Sequence, residues 1–284
     1  MRNIQREDLL DKLIDIAIDE DIYTGDLATN AIIGTKSNIT AIITSKADGV
    51  ISGIEVAEKV MQRIATAEYT FHSYLNDGDE VKKGDKILRI SGKYNDLLTA
   101  ERLMLNFLQR MSGIASATRQ LVNQIQGTRA VLLDTRKTVP GHRCTDKLAV
   151  KHGGGTNHRM GLYDMAMIKD NHIKAARGIS NAIKQVRATT PISIKVEVET
   201  TDIEEVREAL EGGADIIMLD NMTTEQMKEA VKCIGGRAKT EASGNITLER
   251  IREVAETGVD YISVGAITHS VKALDMSMNF RAGR

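Results

Sequence analysis

From Ala130 onward the chain alternates short apolar runs with amphipathic stretches: AVLLDT, MAMIKD, ISIKVEVE, DIIMLDN, KTEASG and DYISVG. Runs of this kind, separated by helical patterns, predict parallel strands joined by helices, either in an open sheet or in a barrel. The residues that close the runs separate the two: Asp134, Lys169, Glu197, Asp220, Ser243 and Gly265 are each charged, polar or small. In a barrel the C-terminal strand ends converge on one mouth, where active sites sit. In an open sheet, strands far from the switch point need no functional groups at their ends. Six clear runs rather than eight predict a barrel with missing or irregular members.

The segment before this repeat has a different character. Leu9, Leu10, Leu13, Ile14, Ala17 and Ile18 recur at helical spacing and predict an amphipathic opening helix. Between Ile39 and Ile90 short alternating runs are broken by Asp48-Gly49, Asp77-Gly78 and Gly84-Asp85, which read as turns between strands. Its NDGDEVKKGDKI stretch resembles a hairpin of biotinyl and lipoyl carrier domains, but no lysine stands in the Met-Lys-Met setting that carriers modify, so a structural hairpin is expected. Apolar residues at Leu97, Leu98, Leu103, Leu105, Leu108, Met111 and Ile114, with no proline among them, predict a long helix or helix pair. The expected division is an α/β N-terminal domain with its connecting helix over 1–112, then an α/β barrel with a C-terminal segment over 113–284.

Charge and cysteine content narrow the function classes. With 38 Lys+Arg against 39 Asp+Glu the net charge is −1, so no whole-molecule field draws the chain to nucleic acid or an anionic membrane. Anion sites must be local. The opening MRNIQREDLLDKLIDIAIDED mixes charges into its apolar residues, and no stretch approaches the length of a membrane span. Cys144 and Cys233 form no CxxC pair, which fits a reduced, cytoplasmic protein without structural zinc.

Four groups of residues carry candidate chemistry. Arg136 and Lys137, flanked by Thr135 and Thr138, suit an anion: guanidinium grips carboxylate or phosphate in a fork, and ammonium adds a mobile charge. Gly153-Gly154-Gly155 is either a helix cap or a backbone able to approach a ligand while delivering His158 and Arg159, with Lys169 and His172 as a second cationic group. The two-residue strand period puts Lys195, Glu197 and Glu199 on one face. That face is expected at the mouth, with Glu197 and Asp220 holding a divalent metal or ribose hydroxyls; the alternative for Glu197 is a salt bridge with Lys169 or Lys195. Ser243-Gly244-Asn245, opening into a helix over Thr247–Glu256, and Gly265 to His269 follow the last two runs, where barrels commonly bind phosphate.

At these residues the chain resembles the quinolinate phosphoribosyltransferase family. The matching segments are ERLMLNFLQRMSGIAS, LLDTRKTVPGHR, KHGGGTNHRMGLYDMAMIKDNHI, KVEVE, DIIMLDNM, EASGNIT and GVDYISVGAITHS, in family order. The resemblance implies a small α/β domain followed by an incomplete, seven-stranded α/β barrel, assembled as a homodimer or larger homo-oligomer. It implies phosphoribosyl transfer from phosphoribosyl pyrophosphate to quinolinate with loss of CO2 and with Mg2+, giving nicotinic acid mononucleotide. Arg102 would reach into a neighbouring subunit's site. Arg136, Lys137, Thr138, His158, Arg159 and Lys169 would surround the pyridine carboxylates and the donor. Glu197 and Asp220 would lie near ribose and magnesium, acting in catalysis with Lys137, and Ser243, Gly244, Gly265 and His269 would bind phosphate. Two positions depart from the family, His142 where an apolar residue is usual and Val139 where threonine is common. Neither removes a charged group.

Overall fold

A computed structural model describes residues 6–33 and 37–281. Its strands are, in chain order, β1 Asn38–Ser45, β2 Gly49–Val50, β3 Thr70–Ser73, β4 Glu80–Val81, β5 Lys86–Lys93, β6 Val131–Leu133, β7 Ala166–Ile168, β8 Val196–Thr200, β9 Ile216–Asp220, β10 Lys239–Ser243, β11 Tyr261–Ser263 and β12 Met276–Arg281. The chain forms two compact units. One comprises Met1–Arg119, Thr138–Gly154 and Ile267–Arg284, the other Gln120–Lys137 and Gly155–Ala266.

The first unit is built on a sheet in the order β12-β1-β5-β3, with antiparallel pairs throughout. Ala41, Ile43, Leu88 and Ile90 are wholly buried there. The carrier-like stretch forms turns rather than the expected hairpin: β4 pairs with β2 while β5 joins the larger sheet, and Gly78 and Gly84 both adopt φ of 97°, which a side chain would resist. The opening helix is Glu7–Asp21, with Leu10 and Ile14 as its buried stripe. The periodic stretch after β5 is one continuous helix, Tyr94–Gln124, burying Leu97, Leu103, Leu105, Leu108, Met111 and Ile114. Gly113 lets it approach the backbone closely, since a Cβ there would lie 2.3 Å from the Lys272 carbonyl oxygen. Arg110 of this helix grips the buried Asp146 carboxylate with two hydrogen bonds, Nε at 3.0 Å and Nη2 at 2.8 Å.

The second unit is the barrel. Its six strands are parallel in the order β6-β11-β10-β9-β8-β7. A seventh member is reduced to Thr156, whose N–H donates to the Leu132 carbonyl at 2.8 Å and whose carbonyl accepts from Asp134 at 3.2 Å. Chain order and spatial order therefore agree right round the barrel, with β6 beside β11 and the opening at 157–165, between Thr156 and β7. The apolar-run pattern misses the seventh member because Gly-Gly-Gly-Thr contains no run.

The crossover helices start where side chains replace missing backbone acceptors. Asp202 accepts from the Glu205 N–H, and Thr223 and Gln226 form a reciprocal capping box. One expectation fails locally. The helix placed at Thr247–Glu256 is only Ile251–Ala255, so the Ser243 loop leads into turns rather than directly into a helix. At the N-terminal ends of the strands Asp260 accepts from the Thr240 N–H and hydroxyl, both at 3.0 Å, and from Lys239 at 2.9 Å, which pins β10 to β11.

Candidate functional site

The C-terminal strand ends of the second unit carry the charged residues in two layers. The inner layer begins with Asp134, the residue after β6. Wholly buried, it accepts from the Asn157 amide at 2.6 Å and the His158 N–H at 2.9 Å. These bonds fix the segment after Thr156 and turn the His158 ring inward. Its Nε2 lies 3.1 Å from Glu197 on β8 and 3.3 Å from Glu241 on β10, and both glutamates are completely buried.

Three ionisable groups in a dry interior must compensate one another. Burial opposes charge on the His158 ring, but hydrogen bonding and attraction from Glu197 and Glu241 outweigh it and lift its pKa to about 10. Burial lifts Glu197 to about 7; the bond from His158 works against this and the charge of Glu241 adds to it. The Arg159 N–H donates to Nδ1 at 2.7 Å, which sets the ring hydrogen on Nε2, between the carboxylates. A further proton is thus shared among the three groups rather than held at Nδ1. The same bond argues against a metal here, although the three ligand atoms lie within 4.8 Å of one another. A metal ligand would need the Nε2 lone pair, and Nδ1 would then carry a hydrogen facing the Arg159 N–H.

The outer layer is more exposed. Arg136 and Lys137 follow Asp134 and are exposed, with the Lys137 N–H turned onto the Thr135 hydroxyl at 3.0 Å. The Arg159 guanidinium donates to the Met165 carbonyl at 3.0 Å. Burial lowers its pKa and so does the nearby Arg136, two cations held close enough to repel. Lys169, just beyond β7, donates from Nζ to Glu199. Asp220 stands in the same mouth, at the end of β9. Burial raises its pKa, the charge of Glu199 raises it further, and Asn221, Lys169 and Lys137 draw it down. Lys137, Lys169, Glu199 and Asp220 therefore form one electrostatic group.

This placement changes the role expected of Glu197. Glu197 pairs with Ile216, four residues before Asp220, which at about 3.3 Å per residue separates their levels by roughly 13 Å. The structure does not bring Glu197 and Asp220 together. Glu199, whose partner Met218 is two residues before Asp220, is the mouth carboxylate. The strand period correctly puts Glu197 and Glu199 on one face, but that face runs from the barrel interior to its mouth. The interior accommodates Glu197 because His158 compensates it.

Ser243 pairs with Asp220, so the loop Ser243–Asn245 stands beside the acidic group. Gly244 and Asn245 have φ of 95° and 50°. Gly265 ends the last strand loop. The remaining expected residues lie in the first unit. Arg102 is exposed on helix Tyr94–Gln124, Thr138 accepts from Arg143 Nε at 2.7 Å, and His269 Nδ1 lies 2.7 Å from the Ser270 hydroxyl. Glu241 is the functional candidate that sequence reading misses. Its signal is a carboxylate in the middle of a short strand, Lys239–Ser243, as Glu197 stands within Val196–Thr200.

The chain matches two family models, the quinolinate phosphoribosyl transferase N-terminal domain over residues 26–112 and C-terminal domain over residues 114–279. It is 43% identical over 272 residues to a probable nicotinate-nucleotide pyrophosphorylase (carboxylating) of Bacillus subtilis, covering 95% of this chain and 93% of that protein. It is 45% identical over 288 residues to a quinolinate phosphoribosyltransferase (decarboxylating) of Nicotiana glauca, covering 95% of this chain and 81% of that one. Among solved structures, NadC from Streptococcus pyogenes superposes with a TM-score of 0.93 at 41% identity, covering 98% of both chains. The nicotinate-nucleotide pyrophosphorylase from Francisella tularensis gives the same TM-score of 0.93 at 38% identity, again covering 98% of both.

Proposed function

The chain belongs to the quinolinate phosphoribosyltransferase family, and from that premise we infer how its residues divide the work of the reaction. It transfers phosphoribose from phosphoribosyl pyrophosphate to quinolinate with loss of CO2, forming nicotinic acid mononucleotide for NAD synthesis. The observation that carries the residue assignment is the outer layer itself: Lys137 and Lys169 beside two carboxylates, Glu199 and Asp220, and Arg136 and Arg159 as a second pair of neighbouring cations.

Quinolinate is a dianion and its partner carries several phosphate charges, so their encounter requires concentrated cations to offset repulsion. In our reading Arg136 and Arg159 hold the pyridine carboxylates, and Lys137 and Lys169 face the donor. The ring nitrogen attacks the ribose C1, and the bond to pyrophosphate breaks with its electrons leaving on oxygen. Positive charge develops on the ribose in this step, and Glu199 and Asp220 stabilise it from close range. The new pyridinium then accepts the electron pair left when the C2 carboxylate departs as CO2, and a proton replaces it. His158, Glu197 and Glu241 form the charged floor beneath this site.

Mg2+ is part of the proposal. Two half-buried carboxylates whose charges oppose each other are a hard-oxygen donor set that suits it. Glu199 and Asp220, rather than Glu197 and Asp220, would hold it, and bound there it would neutralise the departing pyrophosphate. Ser243, Gly244, Gly265 and His269 would bind phosphate. We further propose a homodimer or larger homo-oligomer in which Arg102 serves the neighbouring site, and a cytoplasmic location, which fits two free cysteines. No helix among the described residues is long and apolar enough to cross a membrane.

Protein, phosphoribosyl pyrophosphate, Mg2+ and quinolinate should yield pyrophosphate and nicotinic acid mononucleotide. Composite sites are tested by mixing two inactive variants, Arg102→Ala and Lys137→Ala. Under random exchange about half the dimers are mixed, each with one whole site, so roughly a quarter of sites recover. Demonstrated subunit exchange without regained activity would exclude Arg102 from the neighbouring site.

A further inference from the structure

Asn221 occupies an unusual position between the two elements of the mouth that handle the donor. It follows Asp220 directly and adopts φ of 54°, the left-handed conformation that asparagine tolerates better than most residues. Its backbone N–H and both side-chain polar atoms are engaged, two of them across to the β10 loop. Its backbone N–H donates to the Ser243 carbonyl at 2.9 Å. The side-chain Nδ2 donates to Asp220 Oδ2 at 2.8 Å, and Oδ1 accepts from the Asn245 amide at 3.1 Å.

The glycine opposite is shaped around this side chain. A Cβ on Gly244 would lie 2.2 Å from Asn221 Oδ1 and 3.0 Å from its backbone nitrogen. No real side chain fits there while Asn221 stays in place. Arg250 closes the same junction from the other side, with Nη2 donating to the Met222 carbonyl at 3.0 Å and Nη1 reaching the Gly244 and Asn245 carbonyls at 3.4 Å. The loop is thus tied on both sides to the residues following Asp220.

We propose that Asn221 is a positioning residue for the donor, locking the Asp220 carboxylate and the Ser243–Asn245 loop at a fixed spacing so that the ribose and phosphate ends of one phosphoribosyl group are held together. The proposal rests on the reading of Asp220 and the loop given above. A phosphoribosyl group is a short, jointed ligand, so an acidic group and a phosphate loop that drift independently bind it with extra ordering cost. Asn221 removes that freedom. It touches no reacting atom; it acts through Asp220 and the loop.

Two variants test this. Asn221→Gly retains the backbone conformation and removes both side-chain bonds. Asn221→Asp keeps the shape and the acceptor for Asn245, but replaces the donor to Asp220 with a carboxylate. Both should raise the KM for phosphoribosyl pyrophosphate, Asn221→Gly by about tenfold or more, the range expected for a lost hydrogen bond to a charged group. The quinolinate KM should change by less than about twofold. Calorimetric titration of the folded protein with ribose 5-phosphate should show the same weakening. Equal losses toward both substrates, accompanied by a lowered Tm, would mean a merely structural asparagine. Wild-type donor affinity in either variant would equally overturn the proposal. The wild-type protein run alongside separates the two readings: if it fails to turn over quinolinate, the function fails, whereas active wild type with unaffected variants sinks only the role of Asn221.

Discussion

Replacing His158 with leucine should expose how much the charged floor depends on its one basic member. The ring sits 3.1 Å and 3.3 Å from two carboxylates that have no other hydrogen-bond partner among the described residues. With a proton shared among the three groups no contact carries two full charges, so at an effective dielectric of about 20 each is worth at most roughly 5 kcal/mol before desolvation. Desolvation of three buried groups consumes most of that gain. Removing the histidine forfeits the gain and leaves the cost, so His158→Leu should lose about 3–5 kcal/mol at pH 8. The companion is His158→Leu with Glu197→Gln and Glu241→Gln, which removes the uncompensated charges and should recover about half of the loss or more. Urea unfolding followed by far-UV circular dichroism suits a chain with no tryptophan. A single variant within about 1 kcal/mol of wild type, or a triple variant no more stable than the single, would refute the account of a mutually compensated cluster.

Lys137→Ala and Arg159→Ala should each cut kcat/KM for quinolinate by the equivalent of about 1.5–3 kcal/mol while leaving Tm near wild type, and wild-type kcat/KM in either would remove that residue from the anion site. Asp260 gives a pH signature: burial pushes its carboxyl up, but bonds from Lys239, Thr240 and Arg129 hold it at about 2, below the ordinary 3.8. Its stabilisation is present above pH 3.8 and lost as pH falls toward 2, so Asp260→Asn should cost about 2 kcal/mol at pH 7 and nothing near pH 2, as read from stability curves across that range. Gly244→Ala should weaken donor binding by tenfold or more through the clash with Asn221, and unchanged affinity would show that the loop yields freely.

The barrel was legible because its strands are buried on both sides and read as apolar runs, and because their polar ends face one mouth. The seventh member was not, since Thr156 joins β6 through two backbone hydrogen bonds that leave no mark on hydropathy. Arg136, Lys137, Lys169 and Asp220 stand in the mouth where strand-end logic puts them. Glu197 shows the limit of that logic. Strand period assigns a face but not a depth, and only the register with β9 separates the interior Glu197 from the mouth residue Glu199. Glu241 and His158 could be joined to Glu197 only in three dimensions, because their partnership crosses from β8 to β10 and to the segment after Thr156. The failed helix start at Thr247 has a local cause: residues 248–250 form a turn, and no side-chain cap stands at Arg250.

The central claim is that this mouth reads two carboxylates and expels one of them. Quinolinate carrying an isotopic label in its C2 carboxylate, incubated with the protein, phosphoribosyl pyrophosphate and Mg2+, tests it directly, with nicotinate offered in parallel. The account predicts labelled CO2 and pyrophosphate released in equal amounts, with nicotinate used roughly 10⁴-fold less efficiently because a desolvated cation would be left unpaired. Pyrophosphate release without labelled CO2, or comparable use of nicotinate, would contradict it.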